Sequence, residues 1–202
     1  LPTHRHDCTG QTIMPGLVCT HSHIGIRGRG GGGGDRSHPI QPDVRILDSI
    51  NVTDPGFRRA VAGGLTCLNI MPGSGHLSSG QTAFVKLRTA ERIDDILLLD
   101  AEGRPAGGLK MANGTNPQAD APFPGTRGKA AALVRQAFLD AQDYQRKLDR
   151  AGEEDDPPVE RDLRLEALAE RFEVRPSSYS VSVSVSRSST PLANDVIRPS
   201  MS

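Results

Sequence analysis

The sequence predicts an α/β protein, and three observations carry that reading. Asp54-Pro55 opens a helix that Gly63-Gly64 closes, and the apolar run Leu65–Met71 follows at once as a buried strand. Helix, glycine pair and strand in that order make the repeat of an α/β chain. An earlier apolar run, Thr12 to Thr20, leads into His21-Ser-His23, and a late amphipathic helix supplies a cover for a sheet.

In order along the chain, residues 1–11 are polar and rich in histidine. Residues 12–20 read as a strand, and its alternation puts His21 and His23 on one face. Two imidazoles side by side at a strand end can grip one metal ion, and imidazole suits zinc and related divalent ions. His4-Arg-His6 has the same spacing but sits in the polar tail, without strand context.

Arg27 to Asp35 is a glycine run with no Gly-Lys-Ser/Thr, so it reads as a flexible loop and not as a phosphate cradle. Gln41–Ile50 reads as a short helix or turn, Gly56–Ala62 as a helix, and Pro72–Gly75 as the turn that ends the Leu65 strand. His76, in the loop that follows, reads as an exposed side chain more readily than as a ligand. Ile93–Leu99 is a further apolar run, read as a strand.

Thr126 caps a helix over about 128–151, with Leu133, Val134, Ala137, Phe138, Ala141, Tyr144 and Leu148 on one face. Glu153–Pro158 reads as a solvated linker, and Asp162–Glu170 as a short amphipathic helix. From Pro176 the chain is serine-rich. Val181, Val183 and Val185 alternate with serine as an edge strand would, but the composition favours disorder.

The totals bound the possibilities. The chain has 202 residues, with 24 basic and 24 acidic side chains, which argues against nucleic acid or an anionic membrane as the main partner. With 22 Gly, 15 Pro and no Trp it is poor in core material. Cys8, Cys19 and Cys67 show no paired spacing and read as reduced thiols of a cytoplasmic-type compartment. No run is long and apolar enough to span a membrane. The first residue is Leu, which reads as a fragment of a longer product.

Thr12 to Gly25 resembles the first barrel strand of the amidohydrolase superfamily, the metal-dependent (β/α)8 hydrolases. The family pattern there is an apolar strand, Pro-Gly, Asp, a small residue and His-x-His; this chain carries Cys19 in place of Asp. A second stretch, Ala62 to Gly75 with Ser79-Gly-Gln81 and Phe84 to Arg88, resembles the branch that holds imidazolonepropionase-like and amino-sugar deacetylase-like proteins. Ser79 stands for a glycine of that pattern. Gly107 to Pro117 resembles the same branch, with Thr115 where Glu is usual, and so do Gly125–Gly128 and Asp162–Glu170.

The resemblance implies the N-terminal half of a TIM barrel over 12–172, preceded by a remnant β-domain at 1–11 and followed by a low-complexity tail at 173–202. It implies hydrolysis of carbon–nitrogen, non-peptide bonds by metal-activated water, with one or two zinc or other divalent ions. His21 and His23 are the implied metal ligands. A lysine carbamate bridges the ions in binuclear members; Lys110, at the end of an expected strand, is the candidate and Lys86 the runner-up. The implied substrate is a small amide-type molecule.

The family's later ligands are two histidines on the fifth and sixth strands and an Asp on the eighth. No histidine follows His76, and Asp140, Asp143 and Asp162 fall on expected helices. No catalytic residue is therefore assigned, and the expectation is a chain truncated and inactive alone. Its alternatives are a non-catalytic remnant binding metal or a partner chain, and an amino-sugar deacetylase-like esterase. A half barrel would also leave sheet edges open to self-association.

Overall fold

A computed structural model describes residues 5–27, 33–151, 158–170 and 182–185. The architecture is mixed α/β, as the sequence predicts, and the described residues form no closed barrel. Strand β1 (Leu17–Ser22) leads through a 3-10 turn at Ile46–Ser49 to helix α1 (Pro55–Ala62) and then to β2 (Leu65–Ile70). β1 and β2 pair in parallel, which requires a crossover such as α1.

The start of α1 follows the local rules. Pro55 occupies the first turn, where its missing N–H costs nothing, and Asp54 Oδ1 accepts from Gly56 N at 2.6 Å. Asp54 Oδ2 also accepts from Gly25 N at 3.1 Å, so the cap of the helix fixes the loop leaving β1.

After β2 the chain departs from a simple parallel wall. Ser78–Gln81 (β3) and Ala83–Lys86 (β4) form one bent ribbon, separated only by Thr82. β4 runs antiparallel to β2, and β3 runs antiparallel to β5 (Leu109–Asn113). The ribbon therefore joins two three-stranded sheets, β1-β2-β4 and β3-β5-β6, where β6 is Ser182–Val185. Two glycines allow the bend. Gly80 sits at φ +118°, and a Cβ there would strike the carbonyl of Val44; a Cβ on Gly107 would strike the Thr82 carbonyl. The expected strand at Ile93–Leu99 is instead a 3-10 turn at Ile93–Asp95 followed by single bridges, Val85 to Leu97 and Leu99 to Pro105. Asp95 accepts from the backbone N–H groups of Glu91 and Arg92, which favours a turn there over an extended run.

Helix α2 (Arg127–Arg150) is capped by Thr126, whose Oγ accepts from Lys129 N at 3.2 Å. Its apolar stripe lies where the periodicity puts it: Val134, Ala137, Phe138 and Ala141 pack with Leu109 and Met111 of β5 and with Leu165 and Leu168 of α3 (Leu163–Ala169). Leu148, the last member of the stripe, is exposed. Asp162 caps α3 as its sequence suggests. A second core joins Leu68 and Ile70 of β2, Ala83 and Val85 of β4, Ile26, Ile46 and Ile96, with Phe57 of α1 against it.

Within the serine-rich tail the structure describes residues 182–185. Ser182–Val185 forms β6, parallel to β5, with Lys110 opposite Ser182 and Asn113 opposite Val185. Alternating β-branched residues suit a pleated strand, and β5 offers an edge for one. The remainder of the 173–202 segment and the 153–157 part of the expected linker lie outside the described residues. No described helix is long and apolar enough to cross a membrane.

Candidate metal centre

A bulge aims the histidine pair. Cys19 is opposite Leu68 and Ser22 is opposite Ile70, so three steps of β1 match two of β2. Cys19 packs on the core that holds Leu68, and Ser22 is buried beside Ile70. In a regular strand His21 would share the face of Cys19. The extra residue sends His21 and His23 to the opposite face, away from α1.

There the two rings meet. Their centroids are 5.1 Å apart at an interplanar angle of 85°, and Nε2 of His21 lies 3.3 Å from Nε2 of His23. Two nitrogens bound at ~2.0–2.1 Å to one tetrahedral zinc stand about 3.3–3.4 Å apart. The spacing thus fits shared coordination of one ion. His23 Nδ1 lies 2.8 Å from the carbonyl oxygen of Met71. A carbonyl only accepts, so Nδ1 carries the proton and Nε2 is left with its lone pair outward. Cys19 donates its thiol to the carbonyl of His21 at 3.3 Å and does not join the ring nitrogens.

Lys110 is the other unusual group. It is 0% exposed, and its Nζ has no hydrogen-bond partner. Leu109 and Met111 on either side pack against α2 and α3, so Lys110 projects from the opposite face of β5. It acts electrostatically on His21. Burial, then the Lys110 charge, then His23 push the His21 ring below its ordinary value. Burial also pushes the Lys110 amine down. Both shifts favour neutral, electron-pair-donating forms, which is what a metal requires.

Lys110 is the second residue of β5 and not the end of a strand, as expected from sequence. Lys86 is placed differently. It is exposed and pairs across β4 with Cys67, four residues before the Met71 level of His23, roughly 13 Å along the strand at ~3.3 Å per residue.

His76 corrects the sequence reading. It is 3% exposed, with Nε2 2.6 Å from the Asp35 carbonyl and its ring 5.4 Å from that of Phe123. The chain around Gly34 and Asp35 folds back over it, a contact between distant segments that no local pattern signals. Its Nδ1 is buried without a partner. Sequence reasoning also passed over Asn69 on β2, which is 1% exposed with Oδ1 unpaired. A polar residue inside Leu65–Met71 was the available signal. Among the described residues, no group of three or more His, Cys, Asp and Glu side chains is placed to hold a metal ion. Asp140 and Asp143 lie on α2, as expected, and Asp162 is the cap of α3.

Comparison with known proteins gives two likenesses. No protein-family model matches the chain. A curated protein named amidohydrolase tasK, from Hapsidospora irregularis, is 28% identical over 185 residues, covering 81% of this chain and 19% of that protein. A crystal structure of an amidohydrolase from Thermotoga maritima MSB8 superposes with a TM-score of 0.68 at 35% identity, covering 76% of this chain and 41% of that one. The chain therefore spans about a fifth of the curated relative and two fifths of the solved one. Both of these proteins are named amidohydrolases, and this chain is similar to a part of each.

Proposed function

We propose that this chain is the metal-holding front part of a (β/α)8 amidohydrolase that cleaves carbon–nitrogen, non-peptide bonds in small amide-type substrates. The observation that carries the proposal is the 3.3 Å approach of two Nε2 atoms, with a buried, unpartnered lysine amine near enough to act on His21. His21 and His23 would hold zinc or another divalent ion, and Lys110, as a carbamate, would hold a second. Such an ion supplies Lewis acidity, making water acidic near neutral pH and polarising a substrate carbonyl.

The chain's own groups prepare for this. The Met71 carbonyl fixes the His23 tautomer, the bulge in β1 aims both rings, and burial keeps His21 and Lys110 inclined to the neutral form. Cys8, Cys19 and Cys67 are free thiols, which suits the reducing, cytoplasmic compartment proposed for it.

A second reading draws on the small ligand set among the described residues. In it the chain binds an ion or a partner chain and does not turn over. An amino-sugar deacetylase-like activity would use the same metal chemistry on an N-acetyl group.

Zinc uptake by the purified chain tests the proposal. We expect about one tightly held zinc per chain. At a hundred times its dissociation constant, zinc should raise stability by ~2.7 kcal/mol, and His21→Ala and His23→Ala should each remove that gain. Hydrolysis of any member of an amide panel would favour the hydrolase, and zinc without hydrolysis the second reading. A chain that takes up no zinc, and in which His21→Ala changes nothing, would contradict the hydrolase and leave the second reading only as a chain that binds a partner.

A further inference from the structure

We propose that the histidine pair is half of a zinc site that a second copy of this chain completes, so that one ion joins two copies through His21 and His23 of each. The inference rests on the metal reading of the pair and adds the partner that fills it. The two Nε2 atoms, 3.3 Å apart, are spaced as two corners of one zinc tetrahedron. A closed zinc site takes four protein ligands, and among the described residues no third His, Cys, Asp or Glu joins the two rings. A two-fold axis through the ion presents the same two rings again at the remaining corners, the self-complementary contact of a symmetric dimer.

The surface around the pair suits such a contact. His21 is exposed, and β1 is an edge of its sheet, paired with β2 alone among the described strands. Leu68 is in the core that α1 packs on, so its neighbour Cys67 and, opposite Cys67, Val18 are on the face that bears the rings. Val18 is 57% exposed there, and Ile13 and Met14, just before the strand, are 79% and 63% exposed. No Asp, Glu, Lys or Arg occurs from Cys8 to Ile26. Natural edge strands keep like copies apart with charge, lysine above all, and this one carries none. Two copies can therefore bring the stretch together without setting like charges opposite each other, and the exposed apolar side chains lose water as they meet. Lys110 acts on His21 from within its own chain, where it is buried and its amine is pushed toward the neutral form.

The ligand count sets the stoichiometry. With chain in excess, four imidazoles on one ion fill its coordination, and two chains share it. With zinc in excess each chain holds its own ion, water fills the open positions, and the copies separate.

The test uses the full chain with zinc as the probe, read by sedimentation velocity across a zinc titration, with cobalt(II) in place of zinc for a visible spectrum. We expect monomer in chelator, dimer at about one zinc per two chains, and monomer again with zinc in excess. Cobalt should reach its tetrahedral absorption at that same ratio. His21→Ala and His23→Ala should each abolish the dimer. Val18→Lys leaves both rings in place but sets like charges on the contact. It should weaken the dimer roughly tenfold or more and leave zinc uptake by the monomer within a few-fold of the parent. Zinc bound at every ratio without a dimer overturns the inference and leaves the metal reading standing. A dimer that chelator does not dissolve, that His21→Ala retains, or that Val18→Lys forms as readily as the parent also overturns it. If an alanine variant does not fold, the parent's cobalt spectrum decides: no tetrahedral band at the dimer ratio overturns the inference. A parent chain that takes up no zinc overturns the metal reading itself, and this shows before any variant is made.

Discussion

The two faces of β2 are unlike. On one, Leu68 and Ile70 are 0% exposed and meet Ala83, Val85 and Ile96, all apolar. On the other, Asn69 holds an unpaired carboxamide oxygen, and the same face carries the histidine pair. Across the wall β5 repeats the division, with Leu109 and Met111 under α2 and Lys110 facing away with an unpaired amine. An apolar face gains stability in proportion to the area it buries. A buried donor or acceptor without a partner costs stability, about 1–3 kcal/mol each. Such groups gathered beside a histidine pair mark a face arranged for a ligand at the expense of the fold.

Three measurements would break or sharpen that contrast. The largest effect should come from the apolar side. Leu68→Ala removes a fully buried side chain from a closed core and should cost about 2–5 kcal/mol in denaturant unfolding. A loss below 1 kcal/mol would mean that this face is not the stabilising one.

Next, Lys110→Met replaces the unpaired amine with an apolar chain of similar length and should raise the stability of the metal-free chain by about 1–3 kcal/mol. The same variant should bind less metal. Destabilisation would show that Lys110 has a structural partner.

The smallest effect is on pH. Burial first, and then Lys110 and His23, hold the His21 ring below its ordinary 6.5, so the unfolded ring takes up its proton before the folded one. The metal-free chain should keep this part of its stability above about pH 6.5 and lose it as pH falls toward the folded value. His21→Ala should flatten that slope; an unchanged slope would place the titration elsewhere.

The sequence was most legible where local chemistry decides. Asp54-Pro55 and Thr126 cap the helices they should, and the α2 stripe from Val134 to Ala141 packs as its spacing requires. The convergence of His21 and His23 was also readable from their spacing, but which face they share was not. That depends on the register with β2, which is a property of two strands and not of one. The ribbon at 78–86 was missed for a related reason. Its four-residue strands are rich in Ser, Gly and Gln at one end, and tertiary pairing overrides their weak propensity. His76 and Asn69 escaped because burial comes from segments far away in sequence, Asp35 for one and the β1 edge for the other.

The bent ribbon also fixes what can move. One unbroken backbone from Ser78 to Lys86 serves both sheets, so the β1 tip and the start of β5 are held in common by nine consecutive residues. The exposed turn at 101–104 lies outside that tie. A nick or an insertion there should leave the imidazoles and the lysine aligned, whereas a single residue added at Thr82 would shift one sheet against the other and pull them apart.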